Sequence, residues 1–195
     1  MRKQWLMTSG QWLEVCRPHI MLIGALMVAM VSVPLPAQEA AELLHVRTEF
    51  KFTANGSFEQ VAPLFGANEE RKWAADWQPQ FIYPLPAHDQ QGMVFQVMHG
   101  QHTATWVNTA FDLAAGHIQY TYVLGGAMAT LIDIHLTRDG AQKTTVNVVY
   151  ERTALIPEAN DHVKHFQDGD ERAGKEWQDA INGYLLKLRT QSGSK

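Results

Sequence analysis

The sequence predicts an α+β domain: an antiparallel sheet of about seven strands, two short helices after the first strand, and a long C-terminal helix. Three observations predict it. Strand-like stretches follow one another from Gln80 to Ala154 with only short breaks between them, and strands so joined must pair antiparallel, because a parallel crossover needs a dozen or more residues. A lone strand pattern precedes them, separated by two helix-start signals. Beyond Pro157, apolar residues recur at spacings of three and four, the period of a helix laid on a sheet.

The elements follow in order. From His45 to Thr53, Val46, Thr48, Phe50 and Phe52 alternate with Arg47, Glu49, Lys51 and Thr53, which is the period of a strand. Asn55-Gly56 turns the chain, and Ser57 with Gln60 forms a capping box that opens a helix through Val61, Leu64 and Phe65. After Gly66 a second short helix is expected from Asn68 to about Trp77, where Pro79 ends it. Strands are then expected at Gln80 to Pro84, Met93 to Met98, Thr103 to Phe111, His117 to Leu124, Ala127 to Thr137 and Lys143 to Ala154, with Gly92, Gly100, Gly116, Gly125-Gly126 and Asp139-Gly140 between them. In the last element Phe166, Asp170, Ala173, Trp177, Ile181, Tyr184, Leu185 and Leu188 form one stripe, and Lys175, Glu176, Gln178, Asp179 and Lys187 the other face.

Residues 1–40 differ in kind. Arg2, Lys3 and Arg17 precede an uncharged apolar run, Ile20 to Leu35, that ends in Pro34-Leu35-Pro36-Ala37. The run falls short of the roughly 20 residues of a spanning helix, so export with cleavage near Ala37 to Ala41 is the preferred reading. An uncleaved N-terminal membrane anchor is the alternative. The remaining domain, 41–195, is thereby expected to be periplasmic or secreted. From Gln38 onward 13 basic residues face 19 acidic ones, a net charge of −6, which disfavours nucleic acid as a partner. The single cysteine, Cys16, lies in the presumed leader, so neither disulfide nor thiol chemistry is expected of the domain.

Three segments carry a family likeness. Glu70, Trp73, Trp77 and Pro79 look like the second helix and exit of one branch of the START-like or Bet v 1-like superfamily, also labelled SRPBCC or polyketide cyclase/dehydrase-related. The stretches Trp106-Val107-Asn108-Thr109-Ala110-Phe111-Asp112 and Tyr150-Glu151-Arg152-Thr153-Ala154-Leu155 add to it. The likeness covers about Val46 to Leu188 and implies a helix-grip fold, in which a curved sheet and the last helix enclose a hydrophobic tunnel. Members bind lipids, hormones or polyketides, act as enzymes, or assist other proteins, so the fold does not transfer a function.

Strand parity selects the candidate site. Met128, Thr130, Ile132, Ile134 and Leu136 share one face, while Asp133 and His135 take the opposite, solvent-facing one. Ile118, Tyr120, Tyr122 and Leu124 form a matching apolar face, as do Val146, Val148 and Tyr150, and buried tyrosine hydroxyls must find a ligand, backbone or water partner. Trp73 and Trp77, four apart, either gate the cavity or plug the core. The expected lining is Trp73, Trp77, Phe81, Phe95, Trp106, Tyr120, Tyr122, Ile132, Ile134, Trp177, Ile181 and Tyr184, and the expected partner is a hydrophobic or amphipathic small molecule or lipid.

No cofactor or metal is expected. His99 with His102, and His162 with His165, are pairs lacking the local third ligand that zinc needs. Catalytic residues are not identified, because no phosphate loop, nucleophile elbow or His-Glu-x-x-His motif occurs. Two alternatives stay open. A cyclase or dehydratase using the same cavity would need a buried titratable residue beside the tyrosines, with Asn147, Glu151 and Arg152 as candidates, of which Arg152 alone has inward parity. An envelope protein-interaction module would instead show an exposed apolar patch.

Overall fold

The computed structural model of the chain describes residues 42–192. The N-terminal apolar run, its proposed cleavage site and Cys16 lie outside them. Seven strands, β1 (His45–Ala54), β2 (Gln80–Tyr83), β3 (Val94–His99), β4 (His102–Asp112), β5 (His117–Leu124), β6 (Met128–Arg138) and β7 (Thr144–Ala154), form one antiparallel sheet in the order β1-β7-β6-β5-β4-β3-β2. The connections from β2 to β7 are short enough to make sequential neighbours, as the sequence requires. The one long-range pairing joins β1 to β7, with His45 opposite Thr153 and Ala54 opposite Thr144.

Two short helical elements follow β1. The first is the turn α1 (Phe58–Val61), opened by the Ser57/Gln60 capping box and continued by a 3-10 turn, Ala62–Phe65. The second is only a 3-10 turn, Glu70–Lys72, rather than a helix running to Trp77. Its reason is tertiary. The indole N–H of Trp73 donates to the Leu64 carbonyl at 2.7 Å and that of Trp77 to the Ala67 carbonyl at 2.7 Å, folding the segment back on itself. Asp89 fastens the same loop by accepting from the backbone N–H groups of Asn68 (2.8 Å) and Glu69 (3.3 Å). It comes so close to Gly66 that a Cβ there would stand 2.4 Å from the carboxyl carbon, so any side chain at 66 would have to displace Asp89.

The long helix α2 (Asn160–Ser192) starts from a 3-10 turn, Pro157–Ala159, and packs mainly along β1. Trp177 meets Phe50 edge-on at 5.5 Å, and Gly174 passes so near Phe50 that an added Cβ would be 3.0 Å from the ring. Gln178 donates to the Thr53 carbonyl at 3.0 Å, and Asn182 accepts from the Asn55 N–H at 2.7 Å. Ile181 and Leu185 are buried, but Leu188, at 41% exposure, falls outside the core although it lies on the apolar stripe. Among the described residues no helix is long and apolar enough to cross a membrane.

Candidate functional site

A cavity of about 280 Å³ lies on the concave side of the sheet. Sheet register explains its wall. Phe95, Trp106, Tyr122, Thr130 and Arg152 are successive cross-strand partners on β3, β4, β5, β6 and β7, so one transverse row presents their side chains to the same face. The next row runs Tyr120, Ile132, Tyr150. Between the sheet and α2, Trp177 and Phe166 close the space, and Phe65, Glu70 and Trp77 come from the loop after α1.

The sequence-expected residues divide accordingly. Trp77, Phe95, Trp106, Tyr120, Tyr122, Ile132, Ile134 and Trp177 line the cavity. Trp73, Phe81, Ile181 and Tyr184 do not. Trp73 is wedged between Phe65 (6.2 Å) and Trp177 (5.6 Å) and fills the core behind the wall. Phe81 backs Phe95 at 6.1 Å on the edge strand, Ile181 is fully buried on the inner face of α2, and Tyr184 packs at the rim of the core. A helical stripe marks what the sheet covers, but only its N-terminal part overlies the cavity.

Six lining residues were not selected by the sequence argument: Phe65, Glu70, His99, Tyr150, Arg152 and Phe166. His99 continues the inward parity of Phe95 and Val97, a signal hidden by its pairing in sequence with His102. Arg152 had the right parity. Glu70 is three residues before Trp73 and seven before Trp77, one face at helical spacing, although the segment reaches that geometry through a bent loop.

The chemistry concentrates on these polar members. Arg152, 3% exposed, faces Asp170 of α2, 6% exposed; its Nη2 donates to Oδ1 at 2.9 Å and its Nη1 to Oδ2, which also accepts from the Thr48 hydroxyl. The guanidinium carbon lies 4.2 Å from the Tyr150 ring centre. This buried pair joins β7, β1 and α2 at one end of the cavity. Tyr120 donates its hydroxyl to the Phe65 carbonyl at 2.9 Å, so that hydroxyl is spent on holding the α1 loop over the sheet. Burial first, and the nearby Glu70 and Asp89 charges next, push its phenol well above the ordinary range. Burial likewise raises Tyr150 and lowers His99, keeping both neutral at neutral pH.

Glu70 is the unusual group. Burial, with the neighbouring Asp89 charge, pushes its carboxyl from 4.5 up to about 8. Glu70 is partly exposed and is one of the residues lining the cavity. Four buried polar atoms have no hydrogen-bond partner among the described residues: His99 Nε2, Trp106 Nε1, Thr130 Oγ1 and Arg152 Nε. Trp106, Thr130 and Arg152 share the transverse row, while His99 stacks on Trp106 and on Tyr122 (5.9 Å, 13°). An unsatisfied buried polar group costs about 1–3 kcal/mol. His99, Trp106 and Arg152 line the cavity, so three such groups at its wall leave hydrogen bonds open to whatever enters it.

Solved structures share this fold. A point mutant of norcoclaurine synthase from Thalictrum flavum, in complex with a transition-state analogue, superposes with a TM-score of 0.58 at 12% identity over 76% of this chain and 98% of that one. An aromatase/cyclase from Streptomyces gives 0.53 at 14% identity, covering 72% and 93%. A protein from Bacillus cereus gives 0.54 at 16% identity, covering 74% and 98%. At such identities the likeness is one of fold. No protein-family model matches the chain, and no curated protein matches it in sequence.

Proposed function

We propose that this chain, which has the helix-grip fold of Bet v 1-like and START-like proteins, binds a small, mainly aromatic molecule carrying at least one hydrogen-bonding group. The supporting observation is the set of unpartnered polar atoms on His99, Trp106 and Arg152 in a wall that, Glu70 apart, is otherwise made of aromatic and aliphatic side chains. Apolar burial supplies the affinity, and these groups set orientation. At about 280 Å³ the cavity lies at the small end of ligand pockets, which run from roughly 300 to 1,000 Å³. A ligand of one or two rings suits it better than a long lipid chain. Trp77, Trp106 and Trp177 line the site, so 2-naphthol, two rings with one hydroxyl, should quench the intrinsic fluorescence saturably and protect the protein from heat. Absence of both effects with 2-naphthol and with naphthalene would remove the proposal.

Glu70 favours a second reading, in which the same cavity performs proton transfer. A carboxyl raised to about 8 is poised to give and take a proton near neutral pH, as general acid–base catalysis requires, and its charge is felt by Tyr120 and Tyr150. Two proteins of similar fold are a norcoclaurine synthase and an aromatase/cyclase. Native mass spectrometry of protein from its own compartment identifies the bound molecule. If that molecule is converted by wild type and left unchanged by Glu70→Gln, the protein is an enzyme; if both variants only bind it, the protein is a carrier.

Export is part of the proposal and rests on residues 1–40 alone. The N-terminal sequence of the mature chain tests it, with cleavage near Ala37 to Ala41 expected.

A further inference from the structure

The convex face of the sheet carries a cluster that the cavity does not use. His117 and His135 are cross-strand partners on β5 and β6, and Asp133, two residues before His135, shares their face. The alternation that directs Asp133 and His135 away from the ligand therefore brings them together with His117. The two imidazole rings lie parallel, 4.6 Å apart at 6°. Both aim Nε2 at a single carboxylate: His117 at Oδ1 (2.7 Å) and His135 at Oδ2 (3.0 Å). Gln119 donates to Oδ1 at 3.2 Å and is in turn fixed by the Thr109 hydroxyl, which donates to its Oε1 at 2.9 Å.

We propose that His117, Asp133 and His135 form a surface site for a divalent transition-metal ion of the zinc, nickel or copper class. Two imidazoles with one carboxylate suit such ions, whereas calcium and magnesium take oxygen donors. One donor atom from each of the three residues lies within 4.8 Å of the other two. With bonds of about 2.0–2.1 Å, neighbouring donors of a tetrahedral shell are roughly 3.3 Å apart. Each imidazole is within a few tenths of an ångström of that distance from its own carboxylate oxygen, His117 from Oδ1 and His135 from Oδ2. The strands hold both rings parallel beforehand, and the Thr109–Gln119–Asp133 chain orients the carboxylate as outer-shell partners of metal ligands do. Three protein donors leave a coordination position open on the solvent side, for water or a group from another molecule.

Isothermal titration of the metal-free, untagged full chain with Zn²⁺ tests this. One ion per chain is expected, with affinity reduced about tenfold or more in His117→Ala and in Asp133→Asn, and unchanged in the double variant His162→Ala/His165→Ala on α2. Circular dichroism of each metal-free variant establishes that it is folded. Asp133→Asn keeps the shape of the side chain, so it reports on the ligand even if an alanine variant unfolds. No Zn²⁺ uptake, uptake insensitive to both convex-face variants, or loss only in the α2 variant would each overturn the assignment.

Discussion

Replacing Glu70 with glutamine should make the protein more stable at alkaline pH and leave it nearly unchanged at acid pH. The carboxyl titrates at about 8 in the folded chain against an ordinary 4.5. Below pH 4.5 both states hold the proton and the shift contributes nothing. Between those two values the unfolded chain releases the proton and the folded chain keeps it, so wild-type stability falls as pH rises. At about 1.4 kcal/mol per unit, the accumulated cost is about 3 kcal/mol at pH 7 and levels off near about 5 kcal/mol above pH 8. Water entering the cavity would lower these figures without altering their sign. Glutamine keeps the shape and does not titrate, so its advantage over wild type should grow through the same window. Urea melts of both proteins at pH 5, 7 and 8.5, at constant ionic strength, read the difference directly. A difference that is flat with pH, or one that favours the variant most at pH 5, would refute the burial of Glu70 as described.

Three further outcomes are expected. Arg152→Met leaves the buried Asp170 carboxylate without its cation and should cost about 3–5 kcal/mol, while Arg152→Met combined with Asp170→Leu should recover most of that loss; a double-mutant cycle in chemical denaturation measures it. Ile181→Ala, at a fully buried position, should cost about 2–5 kcal/mol, and Leu186→Ala, 60% exposed on the same helix, should stay within about 0.5 kcal/mol. Gly66→Ala should displace Asp89, releasing the Asn68 and Glu69 amides, and should raise hydrogen exchange across the Glu70 loop before it changes exchange in the sheet.

The sheet was legible because its strands obey local rules. Period-two alternation and glycine-bearing turns placed β5 at His117–Leu124, and the other strands to within a residue or two. The segment from Gly66 to Pro79 was not legible in the same way. Helical spacing of Glu70, Trp73 and Trp77 pointed to a helix, but two indole bonds to upstream carbonyls and an aspartate about 20 residues downstream decide its path. Those contacts exist only once the chain has folded. The same separation explains the site. Parity supplied the inward aromatic rows, whereas the perturbed state of Glu70 depends on Asp89 and on burial, neither of which a local pattern encodes. His117 illustrates the point on the other face: its partners lie on the next strand, and only the β5–β6 register brings the three side chains together.

The place of β1 beside β7 has a temporal consequence. The first strand emerges about a hundred residues before its neighbour among the described strands, His45–Ala54 waiting for Thr144–Ala154, and the helix that covers it arrives later still. Such sequence-distant pairing belongs to the slow end of folding, because loop closure must precede any gain from contact. A chain halted on the ribosome before Thr144 holds Phe50 and Phe52 without sheet partner or roof, so the nascent domain should stay sensitive to protease until α2 has cleared the exit tunnel. The cavity is complete only after β7 and α2, the last elements of the domain, have been made.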